Sequence, residues 1–260
     1  MNRIVCFLFL SLACNFLMAD QPFDELSIQY TGGSYDNETF EYRLMKPETI
    51  EPGKKYPLVL FLHGAGERGD DNTSQLKYFP TEMAGEANRK AFPCFVLAPQ
   101  CRNEKKWVDV DWSDHEATAM PESPSDQMQA AIQMLERTIA ENPIDTSRVY
   151  LTGLSMGGYG SWDLTARHPK WFAAAIIVCG GGDDTQASKL VGLPIWVFHG
   201  DADSAVPVQR SRKMVAAIKD AGGKKIKYTE LPGVDHNSWD HAYSQDAGAI
   251  KWMFEQAKAK

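Results

Sequence analysis

The sequence predicts an α/β protein: a mostly parallel central sheet with antiparallel strands at its N-terminal end and helices on both faces. Three observations predict it. Near-continuous apolar runs of a few residues recur along the chain, bounded by Gly, Pro, Asp or Asn, as strands buried on both faces of a parallel sheet are. Helical patterns lie between those runs. Two earlier segments alternate apolar and polar residues instead, which marks antiparallel strands with one wetter face.

In chain order, the alternating segments are Leu26–Tyr30 and Thr39–Leu44. The buried runs follow: Tyr56–Leu62, Cys94–Ala98, Arg148–Thr152, Phe172–Val178 and Pro194–His199, with a further strand over Lys225–Glu230. A helix beginning near Ser123 aligns Met128, Ile132 and Leu135 on one face, and another continues from Trp162 to His168. Val208–Ala221 repeats the pattern and stops at Gly222-Gly223, and a last helix is expected from about Asp240 to Ala257. The irregular stretch Gln100–Pro124 is too long for a simple connection and reads as a functional loop or lid.

A chain of 260 residues suits one large α/β domain, expected over residues 20–260. With 43% hydrophobic and 23% charged residues, it is neither collagen-like nor disordered. A formal net charge of -7 offers no basic face for nucleic acid, so none is expected as a partner.

At the N-terminus, Arg3 precedes an apolar run from Ile4 to Met18. That is short of the ~20 residues a membrane span needs, and it reads as a secretory signal peptide over residues 1–19. A secreted or periplasmic protein is expected, with no stable membrane span after cleavage. Ala13-Cys14 is an imperfect lipoprotein box, because Ser11 stands where leucine is usual. Removal leaves Cys94, Cys101 and Cys179. Cys94 and Cys101 bracket an extended run and lie too far apart to bridge, so Cys101 with Cys179 is the pair to test against free buried thiols.

The stretch RVYLTGLSMGGYGSWDL, Arg148–Leu164, puts Ser155 among four glycines where a strand gives way to a helix. A strand-to-helix turn this sharp forces strained dihedrals on the serine and crowds the backbone on both sides. The geometry lifts the hydroxyl clear of the sheet edge. A serine hydroxyl is a poor nucleophile without a base, so a histidine is required, and an acid should orient it. In the order Ser, acid, His, only His236 and His241 follow every candidate acid, and His236 lies in a loop just after a strand. For the acid, Asp201 and Asp203 compete with Asp183 and Asp184. The oxyanion needs two backbone donors: Met156 N–H directly after the serine, and Ala65 N–H in Leu62-His-Gly-Ala-Gly66, with His63 orienting that loop. There is no C-x-x-C, H-E-x-x-H or P-loop, and the glycines around Ser155 do not open a dinucleotide-binding unit, so no metal or cofactor is expected.

Leu62-His-Gly-Ala-Gly66, Ala98-Pro-Gln-Cys101, Gly153-Leu-Ser-Met-Gly-Gly158, His199-Gly-Asp-Ala-Asp203 and Pro232-Gly-Val-Asp-His236 together resemble the α/β-hydrolase superfamily. The branch it is most similar to is that of secreted bacterial phospholipase/carboxylesterase-like enzymes, labelled predicted peptidase or dienelactone-hydrolase-like and related to feruloyl and acetyl xylan esterases. The resemblance runs from about Tyr56 to the C-terminus. It implies the α/β-hydrolase fold, a Ser155–Asp203–His236 triad with Asp203 as the acid, and no cofactor. The expected activity is that of a serine-dependent carboxylic ester hydrolase acting through an acyl-enzyme, on acyl esters of polysaccharides or on small aryl and alkyl esters. Trp107 and Trp239, with Trp112, lie in loops bordering the site, where aromatic walls suit sugar or phenolic faces. Arg68 and Glu104–Lys106 read as solvated surface. The alternative is a serine peptidase of the prolyl-oligopeptidase-like type, although 260 residues leave no room for the propeller such enzymes often carry. A non-catalytic binding protein on the same scaffold is a third reading.

Overall fold

The computed structural model describes residues 22–259, and the expected signal peptide and its two cysteines, Cys6 and Cys14, lie outside them. Eight strands form one sheet in the order β1-β2-β4-β3-β5-β6-β7-β8. β1 (Phe23–Gly32) and β2 (Tyr35–Met45) are a hairpin, and β2 runs antiparallel to β4 (Phe95–Pro99). From β4 onward every pairing is parallel, through β3 (Tyr56–Leu62), β5 (Ile144–Leu154), β6 (Ala174–Val178), β7 (Ile195–Gly200) and β8 (Ile226–Leu231). Each apolar run falls on a strand, to within a few residues at the ends.

β3 shows why continuous apolar runs were needed. Leu58, Leu60 and Leu62 enter one hydrophobic cluster, and Val59 and Phe61 enter another on the opposite face. The first face is covered by α3 (Asp126–Glu141), α4 (Met156–Arg167) and α5 (Gln209–Asp220), which contribute Met128, Leu135, Tyr159, Trp162, Met214 and Ile218. The second is covered by Phe79 and Met83 of α1 (Phe79–Ala84) and by Ile250 and Met253 of the C-terminal helix. α1 and the adjoining α2 (Glu86–Ala91) were not legible: each is six residues long, and Gly85 separates them. Six residues are too few to establish a period of 3.6.

The long C-terminal helix expected from Asp240 is two short ones, α6 (Trp239–Ala242) and α7 (Ala249–Phe254). Gly248 adopts a left-handed φ of 68° at the break, a conformation that a continuous helix cannot contain. The loop from Gln100 to Pro124 is irregular as expected, yet it is stapled down. Arg167, itself paired with buried Asp163, donates to the Pro121 and Glu122 carbonyls. Ser125 Oγ donates to the Lys106 and Trp107 carbonyls, and Met120 N–H to Asp183. Among the described residues no helix is long and apolar enough to cross a membrane.

Candidate active site

The carboxyl edge of the parallel strands gathers the loops that carry the candidate residues. β5 ends at Leu154, and α4 starts at Met156, leaving Ser155 alone in the turn with φ 52° and ψ −118°. Such a backbone costs a non-glycine residue about 1–3 kcal/mol and persists only where its surroundings enforce it. Here packing enforces it. A Cβ on Gly157 would lie 1.8 Å from the Leu62 carbonyl oxygen, and one on Gly153 2.3 Å from the Gly157 carbonyl oxygen. Bare backbone is the only chain that fits there. Ser155 N–H donates to the Val178 carbonyl, tying the turn to β6.

Ser155 Oγ lies 2.8 Å from His236 Nε2, and His236 Nδ1 lies 2.8 Å from Asp203 Oδ2. The histidine stands in the loop after β8, the aspartate in the loop after β7. The Asp203 side chain is fully buried, while His236 keeps 24% of its side chain exposed. Burial pushes the Asp203 carboxyl upward, but hydrogen bonds from His199 and His236 and from the Val206 N–H outweigh it and hold the carboxyl well below the usual range. It is a carboxylate at any working pH. The rival acids have other tasks. Asp201 accepts from Gly233 N–H, Asp183 caps a turn at Thr185, and Asp184 lies within that turn. Asp235, next to the histidine, accepts from Ser204 and from His236 N–H, locking the two loops together.

Ala65 N–H and Met156 N–H, the two expected oxyanion donors, make no hydrogen bond among the described residues. The Ala65 loop is held from behind. Cys101 N–H donates to His63 Nε2, which leaves the Nδ1 proton to donate to the Gly64 carbonyl at 2.6 Å. Burial pushes the His63 imidazole down to about 4, so it stays neutral and keeps that tautomer. Arg68 Nε donates to the Ala65 carbonyl and its Nη1 to the Lys105 carbonyl, so Arg68 braces the loop and is not simply solvated.

The two tryptophans expected at the substrate part company. Trp107 is only 1% exposed and donates its indole N–H to the His63 carbonyl, so it is a staple beneath the loop carrying Ala65, not a substrate wall. An indole buried in this way needs a partner for its N–H, and the loop backbone supplies it. Trp239 is half-buried, with its ring perpendicular to the His236 ring at 5.3 Å. Sequence reasoning gave no role to His199. This fully buried ring lies 3.2 Å from Asp203 Oδ2 and is fixed from behind by Ser211 Oγ at 2.7 Å. Its signal was present in the quoted His199-Gly-Asp-Ala-Asp203 motif, at four residues from the acid.

Cys179 Sγ, Asp203 and His236 bring three potential metal-ligand atoms within 4.8 Å of one another. The aspartate and histidine already bond to each other. Burial, then the nearby Asp203, pushes the Cys179 thiol far up, so it offers no thiolate. The arrangement suits a proton relay better than a metal. Cys94, Cys101 and Cys179 are all free and buried, so the Cys101–Cys179 bridge is not formed.

The sheet order, the elbow after β5 and the loops after β7 and β8 define an α/β-hydrolase fold. The chain belongs to the phospholipase/carboxylesterase family, whose model matches residues 45–247. Among solved structures, a thermostable esterase is 39% identical with a TM-score of 0.81 over 91% of this chain, and this chain spans 64% of that one. A protein of Oryza sativa subsp. japonica named "Probable inactive carboxylesterase" is 29% identical, covering 72% of this chain and 85% of its own length. "Probable feruloyl esterase C" of Aspergillus terreus is 28% identical, covering 71% of this chain and 62% of that protein.

Proposed function

We propose that the protein is a serine-dependent carboxylic ester hydrolase that works through an acyl-enzyme. The observation that carries this reading is the unbroken line from Ser155 Oγ through His236 to the buried Asp203 carboxylate. In this mechanism Ser155 Oγ attacks the ester carbonyl as His236 Nε2 takes its proton, and Asp203 steadies the imidazolium through Nδ1. The oxyanion is received by the Ala65 and Met156 N–H groups. Met156 N–H, at the first position of α4, also brings the positive end of that helix to the new charge. His236 then hands its proton to the departing alkoxide, takes a second proton from a water that attacks the acyl-enzyme, and passes that second proton to Ser155 Oγ as the acid leaves.

Acyl esters of polysaccharides, with small aryl or alkyl esters as surrogates, are the substrates this reading favours. The half-exposed Trp239 beside His236 and the apolar N-terminal run, consistent with export, support it. The test is the purified Ser155→Ala variant beside the parent. The parent hydrolyses a short-chain aryl ester and is labelled by a fluorophosphonate at Ser155, and the variant does neither. Hydrolysis by Ser155→Ala at the parent's rate would overturn the mechanism.

A further inference from the structure

Two non-glycine residues bordering the site share one rare backbone conformation. Ser155 has φ 52° and ψ −118°, and Tyr78 has φ 62° and ψ −114°. The serine's strain belongs to the elbow. Tyr78 lies in no elbow, only between a 3₁₀ turn at Ser74–Leu76 and the start of α1. Strain kept in a bulky residue persists only where its surroundings enforce it, and such positions cluster at functional sites. Here the held side chain is a ring, set against Trp239 with centroids 5.2 Å apart and planes tilted by 50°. Trp239 in turn meets the His236 ring. The three rings form a continuous file from His236 through Trp239 to Tyr78, and Trp239 and Tyr78 are partly exposed.

The charged groups that act on the Tyr78 hydroxyl are acidic. After burial, Glu67 and then Asp240 raise the Tyr78 hydroxyl pKa. Glu67 is itself buried, with Lys77 the cation that faces it, and Asp240 is exposed and accepts from Asn237 Nδ2. Such surroundings disfavour an anionic ligand and offer acceptors to hydroxyl groups. Within the ester-hydrolase reading, on which this inference rests, His236 Nε2 must protonate the departing oxygen. The alcohol oxygen therefore lies beside the histidine, whose ring meets Trp239.

We propose that Tyr78 and Trp239 form a stacking subsite for a neutral carbohydrate ring on the alcohol side of the ester. Flat apolar ring faces cover one side of such a ligand, and Asp240 at the rim accepts from its hydroxyls. An acyl-side role or a subsite for phenols would be a different specificity.

The test uses the parent, Tyr78→Ala and Trp239→Ala on three acetate esters that differ only in the alcohol: an acetylated methyl glycoside, phenyl acetate and ethyl acetate. The subsite predicts that each variant lowers the ratio of kcat/KM for the glycoside acetate to that for ethyl acetate by about 10-fold, the upper range of one aromatic contact. An unchanged ratio overturns the subsite, and a fall confined to phenyl acetate overturns its carbohydrate assignment. A second measurement needs no turnover: a methyl glycoside perturbs the tryptophan fluorescence of Ser155→Ala but not of Ser155→Ala with Tyr78→Ala. Equal perturbation in both overturns the subsite. Tyr78→Gly separates strain from contact, since it unfolds at a higher temperature than Tyr78→Ala while losing the same discrimination. Loss of all Ser155-dependent ester hydrolysis in the parent, with glycoside binding intact, would instead strike the hydrolase reading alone.

Discussion

Replacing His63 with glutamine should change how stability depends on pH, by an amount the structure sets. In the folded protein His63 is fully buried, accepts from Cys101 N–H and donates to the Gly64 carbonyl. Burial lowers its pKa from 6.5 to about 4, with Arg68 pulling the same way and the Gly64 bond and Asp71 opposing. The unfolded chain therefore takes up a proton below pH 6.5 that the folded one refuses until about pH 4. The neutral ring's contribution is complete above pH 6.5 and is lost as the pH falls through that window. At pH 4.5 the loss is about 2.5 kcal/mol, since each unit of difference is worth about 1.4 kcal/mol. Glutamine offers a donor and an acceptor but does not titrate. Urea unfolding at pH 7.5 should find the variant about 1–3 kcal/mol less stable, the cost of imperfectly replacing buried hydrogen bonds. At pH 4.5 that gap should shrink by about 2.5 kcal/mol, or about 5–10 °C in melting temperature for a chain of this size. An identical gap at the two pH values would refute the neutral, buried assignment. Because His63 orients the loop carrying Ala65 N–H, turnover should fall more than KM changes.

Asp203→Asn should fold and keep its contacts with the Ala205 and Val206 N–H groups, yet lose ~10³–10⁴ in turnover of an aryl ester, because an amide no longer selects the His236 tautomer; a loss under tenfold would argue against its role. Gly157→Ala places a methyl against the Leu62 carbonyl of β3 and should cost more than about 3 kcal/mol, read as a collapse in melting temperature, whereas a change within 1 °C would contradict the packing at the elbow. With Cys6 and Cys14 changed to serine, Ellman's reagent should find no reactive thiol in the folded protein and three after unfolding in guanidinium; rapid reaction without denaturant would contradict the burial of Cys94, Cys101 and Cys179.

Most of the framework could be read from the sequence because two-sided burial writes itself as unbroken apolar runs, as in Tyr56–Leu62. The elbow was legible for a similar reason: close backbone contact at Gly153 and Gly157 admits no other residue. The long-range pairings were not legible. Residue chemistry alone could not choose among Asp183, Asp184, Asp201 and Asp203, because each sits at a turn; the family resemblance pointed to Asp203, and the meeting of the loops after β7 and β8 puts that residue against His236. Trp107 was misassigned because a tryptophan in an irregular loop looks alike from sequence whether it faces solvent or anchors a neighbouring backbone. The C-terminal helix was overdrawn because Gly248 weakens a helical pattern without announcing a left-handed turn.

The second imidazole at Asp203 has a bearing on motion. A buried anion whose only counterpart was the reactive ring would trap that ring, because letting go would strand a charge in an apolar interior. Here His199 and two main-chain amides remain if His236 departs, so swinging the ring outward costs the carboxylate one bond and strands no ion. The loop bearing residue 236 stays pinned through Asp235 and Ser204, so any freedom belongs to the ring alone, and the carboxylate is already solvated by the protein whether or not that ring is in place.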